Sequence, residues 1–183
     1  MLQVEKGGAK ETEQRAVLKI TDMDPKFKYE ISKIPGGEKI MLCFQCGTCT
    51  SDCPVARFSG AYRPRQIIRM TQLGLKKRVL ESESLWLCAS CFTCTDRCPQ
   101  DVKVADIIRV LKNLAVKEGY VPPVFKVLAS SILDTGYAYR IPEMRIKKRE
   151  ELGLPSLPKG NPQSLAKLTE RIGFKKLLEA KSE

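Results

Sequence analysis

The sequence predicts an all-α fold, a compact helical domain with extended arms at its N-terminal and C-terminal ends. Three observations carry that expectation. Apolar residues recur at helical spacing after each of two cysteine runs, and no segment alternates apolar and polar residues as a half-buried strand would. The 34 residues between Cys53 and Cys88 also leave room for helices where a hairpin scaffold would need far fewer. With 43% hydrophobic and 29% charged residues the composition is globular, and no stretch reaches the roughly 20 uncharged apolar residues of a membrane span.

Residues 1–38 are polar and charge-mixed, broken by Gly7-Gly8 and Pro35-Gly36-Gly37, with one short helical pattern around Asp24 to Ile34. They read as an N-terminal arm. Residues 39–119 read as the helical domain. Within it Pro64 stands where a helix starts, Ile67, Ile68 and Met70 follow, and Gly74 ends it; a second short helix runs from Leu75 to Ser82. Val104, Ile107, Ile108, Leu111, Leu114 and Ala115 form the clearest amphipathic pattern, closed by Gly119, and its apolar face is expected to cover the cysteine runs. Residues 120–183 read as a C-terminal helix and a Pro-rich extension suited to docking on a partner. Pro122-Pro123 opens the helix, Val124, Val127, Leu128 and Ile132 continue it, and Gly136 stops it. Pro142, Pro155, Pro158 and Pro162 with Gly153 and Gly160 predict an extended stretch over 140–162, after which Asn161-Pro162 caps a short helix carrying Leu165, Leu168 and Ile172.

All 8 cysteines fall in two runs: Cys43, Cys46, Cys49 and Cys53 followed by Pro54, and Cys88, Cys91, Cys94 and Cys98 followed by Pro99. The runs match at an offset of 45 positions, as do Thr48 with Thr93 and Thr50 with Thr95, so they form an internal repeat. Three cysteines three residues apart wrap one compact turn and can serve three irons of a single cubane. Proline after the fourth cysteine fixes φ, lacks an N–H and turns the chain away. This is the spacing of bacterial two-cluster ferredoxins, in which the fourth cysteine ligates the other cluster. On that pattern one 4Fe-4S cluster is expected on Cys43, Cys46, Cys49 and Cys98, and a second on Cys88, Cys91, Cys94 and Cys53. Four-cysteine zinc sites are the weaker alternative, because they place two separated pairs rather than three packed cysteines. A disulfide framework is weaker still. The opening Met-Leu-Gln-Val-Glu-Lys-Gly-Gly lacks the apolar core of a signal peptide, so a reducing, cytoplasmic setting is expected.

The chain has no histidine, which excludes Ser-His and Cys-His catalytic pairs, His-ligated haem and Rieske clusters. Its formal charge of +11 raises the question of nucleic acid, but two oxidised thiolate-bound cubanes bring that figure to about +7. Arg57, Arg63, Arg65, Arg69 and Arg97 stand near the cysteine runs as compensators of cluster charge. No helix-turn-helix or aromatic stacking platform is visible, so nucleic-acid binding is not expected. Trp86 has two readings, a hydrophobic lid or part of an electron route, and the lid is favoured. Thr48, Thr50, Thr93 and Thr95 either donate to cluster sulfurs or cap local turns. The basic runs Lys76-Lys77-Arg78 and 145–149 read as solvated faces rather than docking sites.

Three segments carry a family resemblance: Cys43-Phe-Gln-Cys-Gly-Thr-Cys-Thr-Ser-Asp-Cys-Pro54, Arg63-Pro-Arg-Gln-Ile-Ile-Arg-Met70 and Leu85-Trp-Leu-Cys-Ala-Ser-Cys-Phe-Thr-Cys-Thr-Asp-Arg-Cys-Pro99. They resemble the C subunit of heterodisulfide reductase, in the stand-alone soluble form of methanogenic archaea. The resemblance implies the helical two-cluster domain of succinate dehydrogenase iron-sulfur subunits. It also implies a non-catalytic role: relaying electrons from the flavin-bearing A subunit to the catalytic B subunit, which reduces the coenzyme M-coenzyme B heterodisulfide in methanogenesis. A hydrogenase or formate dehydrogenase in the larger complex is a further implied partner. An iron-sulfur subunit of a respiratory or glycolate-type dehydrogenase is the alternative reading, and a nucleic-acid-associated protein with structural clusters is the alternative of another class.

Overall fold

The computed structural model describes residues 18–158 and 160–174. The Gly7-Gly8 break of the N-terminal arm lies outside them. Among the described residues there is no strand. Ten α-helices follow in order among them: α1 (Phe27–Ser32), α2 (Thr48–Ser51), α3 (Pro54–Phe58), α4 (Pro64–Gln72), α5 (Lys76–Leu80), α6 (Thr93–Asp96), α7 (Val104–Lys117), α8 (Pro123–Thr135), α9 (Glu143–Glu151) and α10 (Pro162–Arg171). Short 3-10 turns precede each cysteine run, at Glu38–Leu42 and Glu83–Leu87.

The cysteine repeat is also a structural repeat. Each half runs from a five-residue 3-10 turn into the first cysteine, then a four-residue helix around the third, α2 or α6, and finally a longer amphipathic helix, α4 or α7. Ile40 and Leu85, equivalent residues of the two turns, are both fully buried. Helices α4 and α7 pack on each other, and α2 packs on α6, so the halves meet face to face around the cysteines. The core between them is apolar: Ile67 and Ile68 of α4, Val79 and Leu80 of α5, and Ile107, Ile108 and Leu111 of α7. Leu114, on the same stripe, packs against it from the edge.

Both long helices end in the same way. Leu75 N–H bonds the Met70 carbonyl at 3.0 Å and Gly74 N–H bonds Thr71 at 3.1 Å, the paired bonds of a Schellman stop; Tyr120 with Ala115 and Gly119 with Val116 repeat it. Gly74 does a second job. Its carbonyl accepts from Asp24 N–H at 2.8 Å, and a Cβ at this position would sit 2.0 Å from the Asp24 carbonyl oxygen. The segment before the first cysteine run is thereby tied to the end of α4, and Phe27 and Ile31 of α1 are fully buried in the core.

The stretch 140–162 departs from the extended conformation its prolines predict, because it contains α9. Met144 to Glu151 are mostly strong helix formers, Pro142 precedes the helix, a Lys148–Glu151 pair at 3.1 Å supports it, and Gly153 in the left-handed region ends it. No residue of α9 is buried, so the expected poverty in core holds. Helix α10 packs on α8 and is capped as its sequence predicts, by Asn161 Oδ1 accepting from Ser164 N–H at 3.0 Å.

Leu111→Ala, at the fully buried centre of α7, is expected to cost about 2–5 kcal/mol. Gly74→Ala should cost more than about 1 kcal/mol, because a left-handed φ of 81° and the Asp24 backbone both oppose a side chain. Leu168→Ala, on the open side of α10, should stay within about 0.5 kcal/mol. Anaerobic urea unfolding of the cluster-loaded protein measures all three.

Candidate cluster-binding site

The two cysteine loops share their backbone as well as their sequence. Gln45 and Ser90 both take positive φ, 68° and 53°, and so do Gly47 and Phe92, 91° and 61°. These pairs are again 45 positions apart. For Gln45, Ser90 and Phe92 the left-handed region costs about 1 kcal/mol or more each, so the loops are held in a conformation the chain alone would avoid. Left-handed residues at alternate positions fold a chain into a concavity of backbone N–H groups, which suits an anionic guest.

Burial divides the cysteines by position in the run. The third of each run, Cys49 and Cys94, and also Cys53, are buried; Cys46 and Cys91 are exposed; Cys43, Cys88 and Cys98 lie between. Burial pushes the Cys49 thiol up to about 11 against a hydrogen bond from the Thr50 side chain, and Cys43, Cys46 and Cys98 push the same way as burial. Burial likewise takes Cys94 to about 12, with Cys88, Cys49, Cys53 and Cys91 adding to it. Cys46 and Cys91 are shifted downward, chiefly by hydrogen bonds with the Thr48 and Thr93 side chains, whose hydroxyl oxygens lie 3.4 and 3.5 Å from the sulfurs. Gln45 Nε2 donates to Cys43 Sγ at 3.3 Å, and Val102 N–H to Cys98 Sγ at 3.4 Å. Gln72 Nε2 holds the entry to the first run by donating to the carbonyls of Ile40 and Cys43.

Tyr62 lies against the second run from the first half of the chain. It is 1% exposed. Burial, a hydrogen bond with the Cys88 side chain, and the proximity of Cys88, Cys53 and Cys94 all push its hydroxyl well above the ordinary phenol value, so it stays protonated.

Both readings of the threonines hold. Thr48 and Thr93 touch sulfur. Thr50 and Thr95 accept from the N–H of the second residue of the following long helix, Arg65 of α4 at 3.0 Å and Ala105 of α7 at 3.2 Å, and Thr50 reaches Cys49 as well. Asp52 and Arg97, equivalent residues of the repeat, face each other with 4.0 Å between carboxylate and guanidinium. Arg63, Arg65 and Arg69 line one shallow pocket beside Gln45 and Thr50, which puts positive charge next to the first run. Trp86 is a packing residue: its ring meets Phe125 of α8 at 4.9 Å between centroids, so it joins α8 to the second run. Lys76 and Lys77 pair with Glu118 and Glu81, as solvated surface charges do.

These groups fit 4Fe-4S clusters better than single ions. Among the described residues no three Cys, Asp or Glu side chains converge on one ion. Zinc needs four donors at about 2.0–2.3 Å from a single point, whereas a cubane spreads its thiolates around a larger body. Sequence reasoning passed over Tyr62, Gln45, Gln72 and the Asp52–Arg97 pair. Only the last had a sequence signal, the offset of 45 that relates its two residues. Thr50→Val and Thr95→Val should each cost about 1 kcal/mol in unfolding free energy, by orphaning a helix N-terminal N–H.

Comparison with known proteins agrees with the geometry. Residues 39–102 match the 4Fe-4S dicluster domain. The chain is 34% identical over 168 residues to the C subunit of the H(2):CoB-CoM heterodisulfide,ferredoxin reductase of Methanothermobacter thermautotrophicus, covering 88% of this chain and 90% of that protein. It is 38% identical over 149 residues to the iron-sulfur C subunit of the CoB-CoM heterodisulfide reductase of Methanopyrus kandleri, covering 78% and 77%. Against the C subunit of the Ferredoxin:CoB-CoM heterodisulfide reductase of Methanosarcina mazei the identity is 35% over 122 residues, 67% of this chain and 74% of that one. With two clusters implied by its dicluster domain and relatives of this kind over most of its length, the chain belongs to the family of iron-sulfur C subunits of heterodisulfide reductase, an oxidoreductase.

Proposed function

We propose that this chain is the electron relay of its complex, carrying electrons from the flavin subunit to the catalytic subunit, where the heterodisulfide of coenzyme M and coenzyme B is reduced. The observation that carries this reading is the grouping of the cysteines. Cys49 feels the charges of Cys43 and Cys46 of its own run and of Cys98 of the other, and Cys94 those of Cys88 and Cys91 of its own run and of Cys49 and Cys53 of the other. This supports the crossed ligand sets: Cys43, Cys46, Cys49 and Cys98 for one cluster, Cys88, Cys91, Cys94 and Cys53 for the second. When bound, each cluster takes up and gives back one electron at a time. The side chains supply the rest. Cys49 and Cys94 also act on each other, so the two sets adjoin at the α2–α6 contact. Apolar α4, α5 and α7 keep water from that centre.

Catalysis then belongs to the partner. The chain has no histidine and holds its cysteines as ligands, so electrons enter beside one run and leave beside the other. The C-terminal extension serves assembly in this reading. Val124, Val127 and Leu128 of α8 are exposed, as is Met144 of α9, which leaves apolar side chains for the flavin or the catalytic subunit to cover. No helix among the described residues is long and apolar enough to cross a membrane, and the reading places the complex in the cytoplasm. The names of some relatives mention H(2) or formate; a hydrogenase or formate dehydrogenase as the ultimate donor here is part of the same proposal.

Anaerobically purified protein should contain about eight irons and eight sulfides per chain, counted by metal and sulfide assay; stoichiometric zinc would refute the reading. Cys53→Ala should disturb the same electron paramagnetic resonance signals as Cys91→Ala and spare those disturbed by Cys46→Ala. The opposite grouping would mean that each run closes its own cluster. Truncation after Arg140 should leave both clusters assembled while weakening complex formation and electron delivery. Full activity of the truncated chain would remove the extension from the docking surface.

A further inference from the structure

We propose that the exposed face of α4 docks an acidic surface of one redox partner, its unpaired arginines taking Asp and Glu carboxylates beside the first cysteine run. Charge along the chain is the first ground. Between Asp52 and Glu81 there is no acidic residue, yet the segment carries Lys76-Lys77 and five arginines, Arg57, Arg63, Arg65, Arg69 and Arg78. Lys76 and Lys77 are paired with Glu118 and Glu81. In the second half of the repeat Arg97 and Arg109 are paired too, with Asp52 and Asp106. The five arginines are exposed, and among the described residues their side chains form no ion pair or hydrogen bond. Arg65 and Arg69 stand four apart on α4, where like charges weaken a helix, so the arrangement is unfavourable until an anion arrives. Compensating the charge of a buried cluster uses only the field of these groups and leaves their N–H donors free for another acceptor.

Two clefts meet on this face. Arg63, Gln66 and Met70 line both; one adds Arg65 and Arg69 with Gln45 and Thr50 from the first cysteine run, the other adds Arg78, and no carboxylate lines either. The cleft beside Trp86, ahead of the second run, is the reverse: Glu81 and Glu83 line it and no basic residue does. The two runs therefore offer surfaces of opposite charge, and a partner matched to one meets like charge at the other. A guanidinium binds a carboxylate through two parallel N–H bonds, and phosphate would accept the same pair. The protein partner is favoured because Phe58, two residues before Gly60 of the Arg78 cleft, is 94% exposed. Arginine beside an exposed aromatic ring is the composition of a protein interface, whereas a free phosphate has no use for the ring.

The inference rests on the relay reading only for there being two redox partners. Surface plasmon resonance of the cluster-loaded full chain against the isolated flavin subunit and the isolated catalytic subunit tests it. Arg65→Glu and Arg69→Glu should each weaken binding to one of the two subunits about tenfold or more, with iron content and binding to the other subunit unchanged. Binding of the unaltered chain to that same subunit should weaken as sodium chloride is raised. Lys117→Glu, an equal change of net charge on α7, should weaken neither. No loss, equal loss for both subunits, or the same loss from Lys117→Glu overturns the proposal. If the reversals lose iron, the neutral Arg65→Gln and Arg69→Gln decide: a smaller loss for the same subunit supports the surface, and unchanged binding overturns it. Inorganic phosphate that releases the subunit where sodium chloride of equal ionic strength does not would make this a small-anion site and also overturn it. Reoxidation of the dithionite-reduced chain on mixing separates the two readings, since binding without electron transfer refutes the relay and leaves the docking surface standing.

Discussion

Cys49 and Cys94 lie at the contact of α2 with α6, both buried and each within electrostatic reach of the other, and the rest of the fold is arranged around that closeness. Two anionic clusters bound side by side in an apolar interior would repel, and each would be desolvated. The chain answers on three levels. Backbone turns in the left-handed region make concave loops, hydroxyl and amide groups donate to the sulfurs, and arginines line the neighbouring surface. The apolar core of α4, α5 and α7 then holds the two loops together against their mutual repulsion. Because a cluster bonds to both halves in the proposed ligation, cluster binding and folding are one equilibrium.

The repeat shows where its two halves have diverged and to what effect. The 3-10 turn, the cysteine loop, the short helix and the threonine that bonds the long helix are the same in both. Position 52 is acidic and its equivalent 97 basic, so the two face each other with opposite charge. Both groups are exposed enough that the pair adds little stability; its effect is on how the halves face each other. The leading cysteines have different surroundings, Cys43 accepting from Gln45 two residues away and Cys88 lying beside the buried Tyr62. Divergence at these few places lets two similar sites differ.

Much of this was legible in the sequence. Pro64, Gly74, Gly119, Gly136 and Asn161-Pro162 bound their helices as expected, because local backbone constraints act without help from the rest of the fold. The two-cluster assignment was legible because cysteine spacing is itself the geometric requirement. Tyr62 was not legible, since its contact spans 26 positions and nothing near it in sequence marks it. Helix α9 was hidden by the prolines on either side of a helix-forming segment. Phe27 and Ile31 are an apolar pair four apart in a polar stretch, and they are buried where α1 packs on α4 and α7, far along the chain.

The central claim is that each cluster draws ligands from both halves of the repeat. Anomalous diffraction at the iron edge from anaerobic crystals of the cluster-loaded protein tests it directly. The account predicts Cys98 bonded to the iron group held by Cys43, Cys46 and Cys49, and Cys53 bonded to the group held by Cys88, Cys91 and Cys94. Cys53 and Cys98 each bonded to the cluster of their own run would contradict it.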